Sequence, residues 1–292
     1  MQYTTSAAHY GQVTLSRLSL VEVALIIAVC LPLAVVVGFF TGRATRRKLL
    51  EDGAKIDKVV GQTTLNAFMA LLGLLLAFAF GNSLTISQSI KDAITDEAAA
   101  LGTAFLRVDY LAEPGRGELQ AALLDYARTR MVPQGHAIAT REQANAFLDA
   151  TLTAQTRLWP LTLEATRDPT PPPIQAFVAG AVNTVLDEHL YRVATLSVPI
   201  SALSQFIVLF SSCTALLLLA NRTGMLGRTL TWRTFVFALF LGAVMYAISD
   251  VRRASEGLIR VDDSALGATI ADMAQSLDAR QAPTAMAPEL PR

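Results

Sequence analysis

The chain has 292 residues, no formal net charge, 52% hydrophobic residues and only 16% charged ones, against about 25% charged in an ordinary soluble domain. Zero net charge leaves no global attraction for nucleic acid. Two cysteines, Cys30 and Cys213, and three scattered histidines, His9, His136 and His189, provide neither a disulfide framework nor a metal-ligand spacing.

The missing charge is concentrated in four blocks. They lie between Glu22 and Arg43, Lys58 and Lys91, Arg192 and Arg222, and Arg233 and Asp250. A membrane-crossing helix needs about 20 mostly apolar residues. Three blocks reach that length. The fourth is short, but Arg233 can snorkel and Trp232 can sit at the interface. Helices without a polar face read as membrane spans, so an all-α integral membrane protein with four spans is expected.

The N-terminus lacks a basic leader region apart from Arg17 and shows no cleavage site. It reads as an uncleaved first span over residues 20–40, with Pro32 inside it. A basic loop follows at 41–59. The second span covers 60–84, and its charge-free run continues to Ile90, longer than the membrane is thick. Residues 1–84 thus form a first membrane segment and 85–194 a helical extramembrane insert. Spans three (196–220) and four (235–249) form a second membrane segment over 195–251. Residues 252–292 are a tail with a helix at 262–277 and disorder beyond it.

Within the insert, Ile86, Ile90, Ile94, Leu101, Ala104, Phe105 and Val108 share one helical face around Glu97. Further helices are predicted at 116–131, 141–158 and 174–193. "VPQGH" and "WPLTLEATRDPTPPP" act as breaks.

Span two carries two four-residue rows. Gly73, Ala77 and Gly81 form a small row that permits close helix approach. That approach is either ordinary packing between spans of one chain or contact between subunits. Beside it runs a large row of Phe68, Leu72, Leu76, Phe80 and Leu84. Pointed at a common axis, the large row would make a hydrophobic constriction that gates by dewetting. Span three carries a polar row of Ser201, Ser204, Gln205, Ser211 and Ser212, suited to interhelical hydrogen bonds or to a water-facing wall. Glu97 is the odd charge, because a carboxylate in an apolar stripe needs a partner. Arg107 lies about 15 Å along the same helix and cannot be that partner. The partner therefore comes from another helix or subunit, as a structural ion pair or an ion-coordinating, protonatable site. Glu22 and Asp250 are expected to pair at the membrane interface near Arg192, Arg252 and Arg253. Gly102 and Gly180 are isolated glycines. With no phosphate loop, nucleophile–base pair or catalytic carboxylate pair in the chain, a non-enzyme without cofactor is expected.

Arg43, Arg46, Arg47, Lys48, Lys55 and Lys58 lie in loop 41–59, and Arg222, Arg228 and Arg233 in loop 221–233. The positive-inside rule places both loops in the cytoplasm of a multi-pass inner-membrane protein. The insert and both termini then lie outside, with Arg252 and Arg253 pulling the other way.

The segments "GLLLAFAFGNSL" and "DEAAALGTAFLRVDYL" resemble the bacterial bestrophin-like membrane family. The family segment from Glu97 to Arg107 matches at Gly102, Thr103 and Arg107, and "LLDYARTR" adds Tyr126 and Arg130. The resemblance implies a bestrophin-like homo-oligomeric, pentameric ion channel, mostly for anions such as chloride. It makes Leu76, Phe80 and Leu84 the best neck candidates. It also implies an insert and termini facing the cytosol, opposite to the charge count. Relatives usually carry several arginines ahead of that glutamate, where "TISQSIKDAIT" has only Lys91. The insert, moreover, holds thirteen acidic and nine basic residues over 85–199, which favours cations at its mouth. A membrane sensor or scaffold with an extracytoplasmic helical domain is the alternative. In either case the partners are the lipid bilayer and further copies of the chain, with inorganic ions for a channel.

Overall fold

The computed structural model describes residues 19–52, 62–131, 141–167, 169–196, 202–251 and 263–281. All of these segments are helices and short turns, without a strand among the described residues. Among the described residues eight α-helices follow in order: α1 (Leu20–Glu51), α2 (Gln62–Arg107), α3 (Gly115–Thr129), α4 (Arg141–Ala165), α5 (Pro172–Leu196), α6 (Ala202–Met225), α7 (Trp232–Val251) and α8 (Ser264–Gln281). A 3-10 turn, Val108–Tyr110, follows α2. The break at "VPQGH", Ser201, Lys55, Lys58, Arg252, Arg253, and the tail after residue 281 lie outside the described residues.

Four helices are long and apolar enough to cross a membrane: α1, α2 with its 3-10 extension, α6 and α7. Several boundaries differ from expectation, each for a local reason. α1 runs on through the basic stretch to Glu51, because Arg, Lys, Leu and Ala are good helix formers. α2 does not stop at residue 84 but continues unbroken for 46 residues, about 69 Å at 1.5 Å per residue and so more than twice the hydrocarbon thickness. α4 passes through Pro160 and takes in the first half of the expected linker. Just beyond, the Thr162 and Thr166 hydroxyls donate back to the Leu158 and Thr162 carbonyls at 2.7 Å each. Pro172 and Pro173 occupy the first turn of α5, where a missing N–H leaves no bond unmade. α8 reaches Gln281, past the expected end at 277.

The described residues divide into two compact units, one within 16–87 and 199–260, the other within 88–198 and 261–292. The first is the membrane unit. Its core joins Ile27, Leu31, Val35 and Phe39 of α1 with Leu216 and Ala220 of α6, Leu241 and Met245 of α7 and Leu72 of α2. The tightest seam is α1 against α6. A Cβ on Gly38 would collide with the Leu217 carbonyl, and one on Gly42 with that of Asn221. Gly224 of α6 lies equally close to the α1 backbone. "GFFTG" is a small-x-x-x-small motif of the kind that brings membrane helices to backbone contact. Asn221 adds a 3.1 Å hydrogen bond to Thr41. Ser19 and Glu22 close the other end of α1 with a capping box, so Glu22 caps its own helix, contrary to the expected pairing with arginines.

The second unit is helical throughout. Ile90, Ile94, Leu101, Ala104, Phe105 and Val108 are buried, as the stripe around Glu97 requires. Leu119, Leu123 and Tyr126 of α3, Val178, Val182 and Val185 of α5, and Leu266 and Met273 of α8 are buried in the same unit. α8 is fastened at its far end, where Arg280 donates to Asp109 at 2.7 Å and to the Gln120 side-chain oxygen Oε1 at 2.6 Å. Gln120 in turn donates to Asp109 at 2.8 Å.

Candidate functional site

Glu97 is fully buried in the second unit, and its partners come from two other helices of the same chain. Tyr126 and Arg130 stand four apart at the end of α3, and His189 and Arg192 three apart on α5. Both spacings put the pair on one helical face. Arg130 grips the carboxylate with two nitrogens, Nε to Oε1 at 2.6 Å and Nη2 to Oε2 at 3.2 Å. Arg192 Nη1 donates to Oε2 at 2.7 Å, and the Tyr126 hydroxyl to Oε1 at 3.0 Å. His189 Nδ1 lies 3.7 Å from Oε1, and its ring meets that of Tyr126 edge-on at 6.0 Å.

Burial pushes the Glu97 carboxyl upward, but the two guanidiniums, by charge and hydrogen bond, outweigh it and hold the group below its ordinary range. Burial, reinforced by Glu97, raises the Tyr126 phenol well above its usual value, so it stays a protonated donor. Burial and the neighbouring Arg192 hold His189 down to about 4, leaving it neutral at physiological pH. The carboxylate is thus charged at neutral pH, with two guanidiniums and a phenol donating to it. That is the arrangement of a structural clamp across three helices. A coordinating cation would meet guanidiniums on both sides, and no group of three or more metal-ligating side chains occurs among the described residues.

Of the motif residues, Glu97, Tyr126 and Arg130 come together. Arg107 stands apart, 4.3 Å over the Phe177 ring, donating to the Phe177 carbonyl at 3.4 Å. Gly102 faces Thr269 of α8, where a Cβ would make only ordinary contact at 3.6 Å. Thr103 is exposed. Arg192, expected at the membrane interface, is instead 4% exposed inside the clamp. The His189–Arg192 spacing on an otherwise apolar helix face was the available signal for it.

In the membrane unit the two rows of α2 do not behave as straight stripes. Positions four apart advance about 40° around a 3.6-residue helix, so five of them sweep about 160°. The large row therefore starts on the core side and winds outward. Leu72 is only 4% exposed within its own unit, with Phe68 and Leu76 packed on that core. Phe80 and Leu84 emerge on the surface of the chain. This corrects the expectation that all five face an axis, since Phe68 and Leu72 are held by the chain's own spans. The small row winds the same way. Gly73, Ala77 and Gly81 are exposed, and a Cβ on Gly73 or Gly81 would have nothing within 4 Å among the described residues. The small row is therefore not packing against another described span of the chain. Leu71, Leu74 and Phe78, the last 69% exposed, flank it. On α6, Ser204 is exposed whereas Ser212 is buried. Gln205 and Ser211 lie between these extremes, so the described part of the polar row does not form one water-facing wall.

Comparison with known proteins gives the lineage. A family model described as a bestrophin-like domain matches residues 28–266. The fold matches the crystal structure of a mutant bacterial bestrophin homologue from Klebsiella pneumoniae, with a TM-score of 0.57 at 11% identity, covering 86% of this chain and 99% of that one. No curated protein sequence matches significantly.

Proposed function

The chain belongs to the bestrophin-like family of membrane proteins, and from that premise we propose that it is the subunit of a homo-oligomeric, pentameric ion channel in the inner membrane. α2 of each copy borders a central axis, and flux is passive. The observation that carries this reading is the bare outer side of α2. Lipid gains little by covering glycines, whereas a neighbouring helix gains close van der Waals contact along them. Leu71, Leu74 and Phe78 complete an apolar surface left exposed by the described residues of the single chain.

The neck is assigned to Phe80 and Leu84, with Leu76 at its edge. A ring of such side chains excludes water when narrow and so gates conduction. Small anions such as chloride are the proposed cargo, on the family relationship. The acidic excess of the insert opposes them at its mouth, so the sign of the ion is the sharpest thing to measure. The basic ends of α1 and α6 are assigned to the cytoplasm. The burial of Arg192 supports this, since it removes one cation from the opposite tally.

Planar-bilayer recording of the purified protein in asymmetric KCl tests the proposal. Expected are channel currents reversing near the chloride potential, altered by Phe80→Ala. A fully assembled oligomer that passes no current, or an assembled Phe80→Ala protein with unchanged flux, would sink it. Subunit number from light scattering separates the five-membered ring from the dimer of a sensor.

A further inference from the structure

One end of the membrane unit collects six arginines from three helices and a turn. Arg43, Arg46 and Arg47 stand on the last turns of α1, Arg222 near the end of α6, Arg228 in the following turn and Arg233 at the start of α7. The glycine seam draws these segments together. The Arg46 guanidinium sits over Gly227, whose φ of 70° belongs to the left-handed region and where any side chain would collide with it. Arg43 lies over the Phe39 ring at 5.0 Å, and Arg222 Nη2 donates to Gln62 at 2.9 Å.

None of the six forms an ion pair among the described residues. The carboxylates on the same stretch, Glu51 and Asp52, are exposed at the extreme end of α1. Nε of Arg46 and of Arg222 is shielded from water without a hydrogen-bond partner among those residues. Trp232, 71% exposed beside Arg233, is the residue type that anchors at headgroup level. The cluster is rich in arginine, and a guanidinium matches a phosphate with two parallel hydrogen bonds where an ammonium offers a point charge.

We propose that this end of the membrane unit is a binding site for the phosphate group of an anionic lipid headgroup. The arginines of α1 and of the α6–α7 turn close on the phosphate from two sides. The site is defined by its charge and its place at the helix ends, and requires neither conduction nor a given orientation.

The test uses the full-length protein in dodecyl maltoside, titrated separately with dioctanoyl phosphatidylglycerol, dioctanoyl phosphatidylcholine and inorganic phosphate. Tryptophan fluorescence and melting temperature are followed. The variant is R43Q/R47Q/R228Q, at three exposed positions, where the one contact given up is that of Arg43 with the Phe39 ring. Expected is at least about tenfold tighter binding of the glycerol lipid than of the choline lipid. The variant should lose about tenfold or more, because each near-surface cation contributes several-fold to anionic-lipid attraction. The loss should shrink as salt rises. The counterpart R43K/R47K/R228K keeps the charge but not the two-bond fork, and should lose measurably less than the glutamine variant. Equal affinity for both lipids, undiminished binding by the glutamine variant, or an equal loss in both variants would overturn the proposal. Inorganic phosphate half-saturating at the same concentration as the lipid would overturn the lipid source and leave a free-phosphate site.

Discussion

Replacing Glu97 by glutamine removes one charge and almost no volume, and it isolates what the clamp contributes. The carboxylate accepts four hydrogen bonds, two from Arg130, one from Arg192 and one from Tyr126. An amide has one acceptor oxygen. Placed at Oε1, the oxygen keeps Arg130 Nε and Tyr126, but the amide nitrogen then faces two guanidinium nitrogens, donor against donor. Flipped, it opposes Arg130 Nε at what was 2.6 Å. Either way two buried arginines lose their counter-charge. Removing one partner of a buried ion pair costs about 3–5 kcal/mol. At roughly 2–4 °C per kcal/mol for chains of a few hundred residues, Glu97→Gln should melt about 6–20 °C below wild type. The assay is thermal unfolding of the detergent-solubilised protein at pH 7.5, where Glu97 is ionised. Adding Arg192→Gln should restore part of the loss, because the two sites share one interaction. If Glu97→Gln melts within about 2 °C of wild type, the clamp does not hold the unit together and the reasoning fails.

His189 adds a pH dependence of definite sign. It is neutral in the fold down to about 4 but accepts a proton below about 6.5 once unfolded. The unfolded state binds more protons between those values, so stability falls as pH drops through that window. By pH 5 the loss is on the order of 2 kcal/mol, and His189→Phe should flatten the profile; an unchanged profile refutes the assignment. Glu97 contributes the same sign only lower down, below the ordinary carboxylate value of 4.5. Gly42→Leu and Gly81→Leu should part company in size-exclusion chromatography. The first collides with the α6 backbone and should yield misfolded protein. The second meets open space within the chain and should yield folded monomer. Oligomers surviving Gly81→Leu would remove the small row from any subunit contact. For orientation, Arg228→Cys should resist an impermeant maleimide in whole cells while Tyr110→Cys, at an exposed position, should react; the reverse pattern inverts the topology.

The four spans and the insert helices were legible because charge-free blocks and a 3.6-residue period are local properties. Ends were less so. Arg43 to Glu51 is polar enough to read as a loop, yet nothing in it opposes a helix, and Pro160 did not break α4. Glu97 announced itself as a misplaced charge, but its partners lie 33 and 95 residues away, and only tertiary packing pairs them. Tyr126 and Arg130 entered through family likeness, not spacing. The rows on α2 misled in part, since a four-residue interval is not a straight line on a helix. The motif that does bring two helices together, Gly38 to Gly42, stood in plain view one span earlier.

That seam has a mechanical corollary. α1 and α6 meet backbone to backbone, where a displacement of an ångström forces atoms into one another. α2 joins the same core through the ends of Phe68, Met69, Leu72, Leu75 and Leu76, flexible side chains that can change rotamer as a helix rolls. The α1–α6 pair is therefore the unyielding seam of the membrane unit, and α2 leans on it through side chains alone.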